Sequence, residues 1–209
     1  MKKVLFTLLT LLAFNWSNAQ KTQKPQFGIK GGMNVSNLTI SGEASPEMKS
    51  KIEYNIGGLI QIKIGEKLFL QPEVIFSKQG SEFKFPITID GVIYNTENTF
   101  NLYYINVPII LKYYATNEFS LEFGPHASLL SSSNLVVRVL NQSNTQDAQK
   151  LFKSSDFGLN LGANFDINKN FFINARYSFG LSNIAVVESG DNTIIKNNVF
   201  SINLCVKFN

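Results

Sequence analysis

The sequence has very few of the residues that form covalent cross-links or metal sites. It contains one cysteine, Cys205, and one histidine, His126, in 209 residues. A single cysteine excludes an internal disulfide, and one histidine with one cysteine cannot form a familiar zinc or iron site. The carboxylates show no calcium-loop spacing, and no glycine-rich stretch precedes a helix as a phosphate-binding loop requires. We therefore expect no metal and no cofactor.

Charged residues are also scarce. They make up 16% of the chain, whereas roughly a quarter is typical of soluble proteins. The excess of 19 Lys and Arg over 15 Asp and Glu shrinks to 17 over 15 once Lys2 and Lys3 of the N-terminal leader are set aside. The basic balance therefore gives no reason to expect a nucleic-acid partner.

The apolar run at the N terminus is too short to cross a bilayer. In MKKVLFTLLTLLAFNWSNAQ, two lysines precede an apolar stretch at residues 4–14, and small polar residues follow. This three-part pattern predicts a secretory signal peptide over residues 1–19 rather than a membrane anchor. We expect a short periplasmic segment at 20–26 and one domain at 27–209.

What the mature sequence does contain is alternation of apolar and polar residues, which is typical of β-strands. Eight such segments are predicted, at 27–38, 52–64, 67–79, 100–115, 119–131, 156–168, 170–182 and 197–209. Short turns with hairpin residues join the second to the third, the fourth to the fifth and the sixth to the seventh segment. The other connections, near 39–51, 80–99, 132–155 and 183–196, are long. This arrangement predicts an all-β fold, an eight-stranded antiparallel up-and-down barrel.

The composition of the two faces indicates which solvent surrounds the barrel. One face of each segment is apolar, and the other carries charges of both signs, which a narrow lumen could pair. We expect these lumen residues to form a structural polar network: Lys30, Lys63, Glu73, Lys112, Glu122, His126, Arg176 and Lys207. Segments of ten to thirteen residues suit tilted membrane-spanning strands, and hydrocarbon requires a closed sheet with apolar residues outside. The barrel is therefore predicted to be transmembrane, in a bacterial outer membrane.

Aromatic residues gather beside the short turns, where an interfacial girdle is expected. The predicted girdle consists of Phe69, Tyr113, Tyr114, Phe119, Phe165, Phe171, Phe172 and Phe208. Three prolines, Pro72, Pro108 and Pro125, lie inside predicted strands. Because proline donates no N–H, we expect missing ladder pairs or bulges at these positions.

Several motifs resemble a known family. The segments YYINVPIILKYY, FSLEFGPHASLL, FGLNLGANFDI and FFINARYSFGLSNI are similar to those of the PorT-like outer-membrane β-barrel family of Bacteroidota. The resemblance spans about 27–209 and implies the barrel fold and the outer-membrane location. Some relatives are tied to type IX secretion and gliding. The chain departs from the pattern at its end, where Asn209 follows Phe208 and displaces the usual final aromatic residue.

Three functions remain open at this point. A filled lumen favours a non-enzymatic scaffold or surface interaction protein, acting in secretion or envelope assembly, because eight strands leave room only for side chains. A narrow channel is the transport alternative. An enzyme that modifies lipid A is the third, since His126 and Ser128 lie two residues apart on one face. The alternation turns both inward, away from a lipid substrate, and Glu122 lies too far along the strand to complete a triad.

The expected partners follow from the location. They are outer-membrane lipid, the barrel-assembly machinery during biogenesis, and an envelope or secretion protein bound through the extracellular loops at 80–99 and 131–155. The second loop contains an apolar run and is predicted to extend two strands as a hairpin beyond the membrane. Exposed strand edges there offer a way to pair with another protein.

Overall fold

The computed structural model describes residues 24–42, 46–89, 91–139, 142–187 and 192–208. The predicted signal peptide at 1–19 lies outside these residues. The strands are β1 (Gln26–Ser41), β2 (Met48–Lys63), β3 (Leu68–Ile89), β4 (Val92–Tyr114), β5 (Phe119–Val139), β6 (Gln142–Asp147), β7 (Ser155–Asp166), β8 (Phe171–Gly180) and β9 (Ile194–Phe208), with a 3₁₀ turn at Gln149–Leu151. Within these ranges no helix is long and apolar enough to cross a membrane.

Eight of the strands close into an antiparallel barrel, which confirms the predicted fold. Their order around the ring is β1, β2, β3, β4, β5, β7, β8 and β9, and β9 pairs with β1 to close it. Each strand of the ring pairs with its neighbour in sequence, apart from the insertion of β6, which among the described strands pairs only with the outer end of β5. The three short turns lie at one end of the barrel, which is the periplasmic end in proteins of this architecture.

The side chains point as the alternation predicts. Apolar residues on the outer face are exposed, as at Ile56, with 61% of its surface accessible, and Leu161, with 56%. Polar and charged residues on the inner face are buried, as at Arg176, with 3%. A water-soluble barrel would show the reverse arrangement. Apolar residues outside and polar residues inside identify the surrounding solvent as lipid.

The three prolines interrupt the ladders, as expected. Pro72 falls in a break between β2 and β3, Pro108 in a break between β3 and β4, and Pro125 in a break between β4 and β5. Two residue pairs are missing at each break, and the register is the same on both sides. The ladders therefore accommodate the missing proline N–H groups by leaving out residue pairs, in three adjacent ladders, rather than by forming bulges.

Two of the predicted long connections consist largely of strand. Residues 80–99, expected to be a loop, continue β3 and β4 as a paired hairpin in which Ile89 faces Val92 and Gly91 has a φ of +79°. Most of 131–155 also forms strand, because β5 continues to Val139 and turns back as β6. The expected hairpin at 131–155 is therefore confirmed, but its second arm is a ninth strand and not an extension of β7.

Candidate functional site

A cluster of four charged residues crosses the middle of the barrel. The guanidinium of Arg176 on β8 donates to both oxygens of Glu73 on β3, at 2.9 and 2.7 Å. These two strands lie four positions apart in the ring of eight, so the pair spans the lumen from wall to wall. Lys30 Nζ on β1 lies 3.1 Å from Glu73 Oε2, and Arg176 Nε lies 2.5 Å from Glu122 Oε1 on β5. We call Lys30, Glu73, Glu122 and Arg176 the cross-barrel cluster.

The cross-barrel cluster is electrically balanced and surrounded by amides. Two cations face two carboxylates, and all four side chains are almost completely buried. Gln71 donates to Glu73 at 2.7 Å, while Asn164 and Asn174 donate to Glu122 at 3.1 and 3.0 Å. Burying charges is favourable only when the remaining lone pairs are also satisfied. The cluster therefore joins opposite walls of the barrel across the middle of the lumen.

The periplasmic end of the lumen is closed by a second layer, the periplasmic floor, made of Lys112, Tyr114, Asp166, Phe172 and Lys207. Lys112 is fully buried, and its ammonium lies 4.1 Å from the centre of the Phe172 ring, a cation–π distance. Asp166 Oδ2 accepts from Lys207 Nζ at 2.9 Å and from the Tyr114 hydroxyl at 3.0 Å. The floor thus combines aromatic rings with an ion pair.

This layer corrects the predicted aromatic girdle. Phe69, Tyr114 and Phe172 share the inward parity of the lumen residues, and Phe172 is only 1% exposed. The Phe69 and Tyr114 rings meet edge to face with centres 5.1 Å apart. The other five predicted members are exposed on the outer face: Tyr113, Phe119, Phe165, Phe171 and Phe208. Closeness to a turn therefore does not separate girdle residues from floor residues. The alternation along each strand does, because it shows whether a side chain faces the lipid or the lumen.

Above the cross-barrel cluster lies a small polar cavity that contains His126, Ser128 and Asp156. It offers about 40 Å³ of water-accessible space, enough for a few water molecules. The strand register sets Ser128 opposite Asp156 and His126 opposite Gly158. All of them face the lumen, as predicted for His126, so a lipid in the surrounding membrane does not reach them. Within the described residues, no group of His, Cys, Asp and Glu is arranged to hold a metal ion.

The extracellular end of the lumen is apolar, so the expectation of a polar lumen was wrong for this part. Its core, the extracellular cap, consists of Leu38, Leu102, Tyr104, Leu130, Ala148, Phe152 and Ile184. Phe152 pairs with Ala185, and Lys153 N donates to Ile184 O at 2.7 Å, so the connections after β6 and β8 meet at the barrel mouth. The cap is packed like the core of a soluble protein, and it closes the lumen from outside.

The eight predicted lumen residues fall into four positions. Four form the cross-barrel cluster, and Lys112 and Lys207 belong to the periplasmic floor. His126 lines the water cavity, where its Nδ1 contacts no hydrogen-bond partner among the described residues. Lys63 is half-buried at the periplasmic end of β2 and has no ion pair within the described part of the chain. The prediction therefore grouped residues that occupy different layers.

Sequence reasoning missed the residues that make room for these side chains. A Cβ added to Gly158 would lie 2.5 Å from His126 Cε1, and one added to Gly162 would lie 2.6 Å from Glu122 Oε1. These two glycines of β7 stand opposite large lumen residues of β5. The sequence does show two inward-facing glycines four residues apart. Which large side chains they face, however, follows only from the register of β5 and β7.

Beyond the membrane, four strands continue as a twisted sheet. This outer sheet comprises residues 80–89 of β3, 92–100 of β4, 134–139 of β5 and the whole of β6. At about 3.4 Å per residue, the arm of β3 alone adds roughly 30 Å of strand. The Phe83 and Phe100 rings stack at 5.3 Å, and Phe100 meets Phe152 of the extracellular cap at the same distance. The outer sheet is therefore fixed to the sealed barrel.

The outer sheet offers an apolar face and a free edge. Phe85 on the face that continues the lumen side is 55% exposed, and Ile87, Val137 and Val139 line a depression beside β6. All six residues of β6 are exposed, and β6 pairs with no described strand other than β5. On the opposite face, Glu97 bridges Lys84 at 3.2 Å and Arg138 at 3.8 Å.

Comparison with known proteins agrees with this architecture. The model of the family described as "Outer membrane protein beta-barrel domain" matches residues 18–186. The solved Neisserial surface protein A (NspA) is similar over 89% of this chain and 100% of its own, with 14% identity and a TM-score of 0.52. Ail, the attachment invasion locus protein of Yersinia pestis, is similar over 89% of this chain and 100% of its own, with 14% identity and a TM-score of 0.49. No curated protein matches the sequence. At this identity, the likeness to NspA shows the fold alone.

Proposed function

This chain belongs to the outer membrane protein β-barrel domain family, and from that membership we propose that it is a non-enzymatic surface interaction protein. In this proposal the sealed barrel is a membrane anchor, and the outer sheet binds another protein. The observation that carries it is the edge of β6. This edge stands outside the membrane on the outer sheet and has no strand beside it among the described residues.

The composition of β6 supports binding by strand addition. Natural proteins protect exposed edges with lysine, proline or bulges, because an open edge is a template for another strand. The sequence QSNTQD contains neither lysine nor proline, and its one charge is at the end, at Asp147. An extended partner segment would gain backbone hydrogen bonds along β6 and would place apolar side chains in the depression beside it.

We further propose that the protein acts in envelope assembly or secretion. The motifs that resemble the PorT-like family of Bacteroidota support this role, as does the predicted signal peptide at 1–19, which would be cleaved on export. Binding sites for envelope proteins would then lie at 80–99 and 131–155, the two segments that build the outer sheet. The barrel-assembly machinery and outer-membrane lipid would be its partners during and after insertion.

A proline in place of Thr145 is expected to weaken partner binding without breaking the β5–β6 hairpin. Ala148 N donates to Ser133 O, and antiparallel pairs alternate in bonding, so the N–H of Thr145 points away from β5. Thr145→Pro therefore removes a donor from the open edge only. The measurement is photo-crosslinking on intact cells, with a crosslinking amino acid in place of Asn144. A discrete adduct should fall about fivefold or more in Thr145→Pro.

Thr145→Val is the matched control, because it changes the same side chain but keeps the N–H. It should retain the adduct. Equal loss in both variants would mean that the side chain and not the edge is recognised. Absence of any discrete adduct from this strand on intact cells would contradict the proposed function.

The enzyme alternative has a separate test. Because His126 and Ser128 face the lumen and not the surrounding lipid, the double variant His126→Ala with Ser128→Ala should leave the lipid A of the cell unchanged. Mass spectra of lipid A from cells with the natural protein, the variant and a deletion would decide this. An acyl-chain difference that appears in both the variant and the deletion would show that the protein is a lipid A-modifying enzyme.

A further inference from the structure

The lipid-facing wall has an apolar groove on its periplasmic half, between β1, β2 and β3. Its sides are formed by Phe27, Ile29, Ile60 and Val74, and its floor by the backbone at Gly58 and by Pro72. Phe27 is the second residue of the barrel, so the groove begins at the periplasmic rim and rises towards the middle of the wall. The groove lies on the outside of the barrel, away from the extracellular cap and the outer sheet.

Two features of the sequence create this groove. Gly58 takes the outward position between Ile56 and Ile60 but has no side chain, and a Cβ there would meet only Gly28 O at 3.8 Å. Next to it, Pro72 lacks a ladder partner on β2, and Glu73 and Val74 lack ladder partners on β4. Glu73 itself contributes to the lining of the groove. The wall is therefore thin at this point, with a buried carboxylate of the cross-barrel cluster just behind it.

A groove of this kind in hydrocarbon has to be filled by something apolar. Empty space would forfeit dispersion contacts along its sides, and water would be poorly tolerated between apolar side chains. Its position in the periplasmic half points to the inner leaflet, whose hydrocarbon depth of about 15 Å is one acyl chain long.

We propose that this groove is a binding site for one acyl chain of an inner-leaflet phospholipid, which covers the wall where Pro72 and Pro108 interrupt it. The bound chain packs over Gly58 between Ile29 and Val74. It fills the position that a side chain occupies elsewhere on the outer face. The proposal depends on the outer-membrane location and not on the proposed surface function.

The test is lipid retention by the protein extracted from outer membranes in mild detergent, measured by native mass spectrometry. The natural protein should retain one phospholipid. Gly58→Leu places a side chain along the groove and should reduce the retained fraction by about tenfold. Gly31→Leu is the matched control, because Gly31 is also outward-facing on β1, and a Cβ there meets only Asn55 O at 3.7 Å, outside the groove. That variant should retain the lipid.

Equal retention by the natural protein and Gly58→Leu would overturn the proposal, as would no retained lipid in the natural protein. Retention of lipid A in place of phospholipid would overturn the assignment to the inner leaflet. Folding is checked by the heat-dependent shift on gels. If Gly58→Leu does not fold, Gly58→Ala has space for its methyl group and should lower retention partially, whereas unchanged retention would count against the site.

Discussion

Replacing Glu73 with alanine is expected to lower the free energy of unfolding by about 3–5 kcal/mol. The carboxylate holds two cations, Arg176 from the opposite wall and Lys30 from β1. Without it, both charges remain in a closed lumen, where Glu122 alone cannot neutralise them. The cost is mostly the penalty for unpaired buried charge rather than the value of the lost contacts.

A matched control exists in the same molecule. Glu97 of the outer sheet also lies between two cations, Lys84 and Arg138, but its side chain is 55% exposed. Glu97→Ala should cost at most about 1 kcal/mol, because solvent screens exposed ion pairs. Urea unfolding in lipid vesicles, followed by circular dichroism, measures both variants. Similar losses for the two variants would contradict the view that the cross-barrel cluster braces the barrel.

The strands of the barrel could be predicted because lipid imposes a strict pattern. Every membrane-spanning segment alternates, and the exposed Ile202 and buried Asn203 of β9 show the pattern directly. The β3–β4 part of the outer sheet, at 80–99, was missed because water on both sides relaxes that pattern. A local signal did exist, since Asp90-Gly91 between alternating residues is a typical hairpin turn. The polar composition of 80–99 led to the prediction of a loop, although the Asp-Gly pair within it favours a hairpin turn.

The candidate site could be predicted only as a set of residues. Parity placed Glu73, Glu122 and Arg176 inside, but parity says nothing about height or partner. Which side chains meet across the lumen depends on the stagger of eight strands, and this stagger is not local in sequence. For the same reason the amide ligands of Glu122 and the inward rings of the periplasmic floor were not identified. The register of the eight strands is needed to assign each inward-facing residue to its layer of the lumen.

The protein is expected to show no steady conductance in a planar lipid bilayer. Three layers block the lumen in series: the extracellular cap, the cross-barrel cluster and the periplasmic floor. Ions that enter from the periplasm first meet Lys112 and the Phe172 ring, and then the Arg176–Glu73 pair that spans the barrel. The cavity above this pair has room for only a few water molecules. A steady open level in the natural protein would contradict the sealed lumen and favour the narrow-channel alternative.

Because the layers act in series, removing one end should not open a path. Phe172→Ala thins the periplasmic floor and Phe152→Ala thins the extracellular cap, yet each variant, and both together, should remain silent while the cross-barrel cluster is intact. Single-channel recording of the three variants at equal protein density provides the test. If Phe172→Ala alone conducted ions, the periplasmic floor would be the only effective barrier, which would contradict three layers acting in series. Silence in the double variant, together with a large stability loss in Glu73→Ala, would mean that the same four charges both brace the wall and close the lumen.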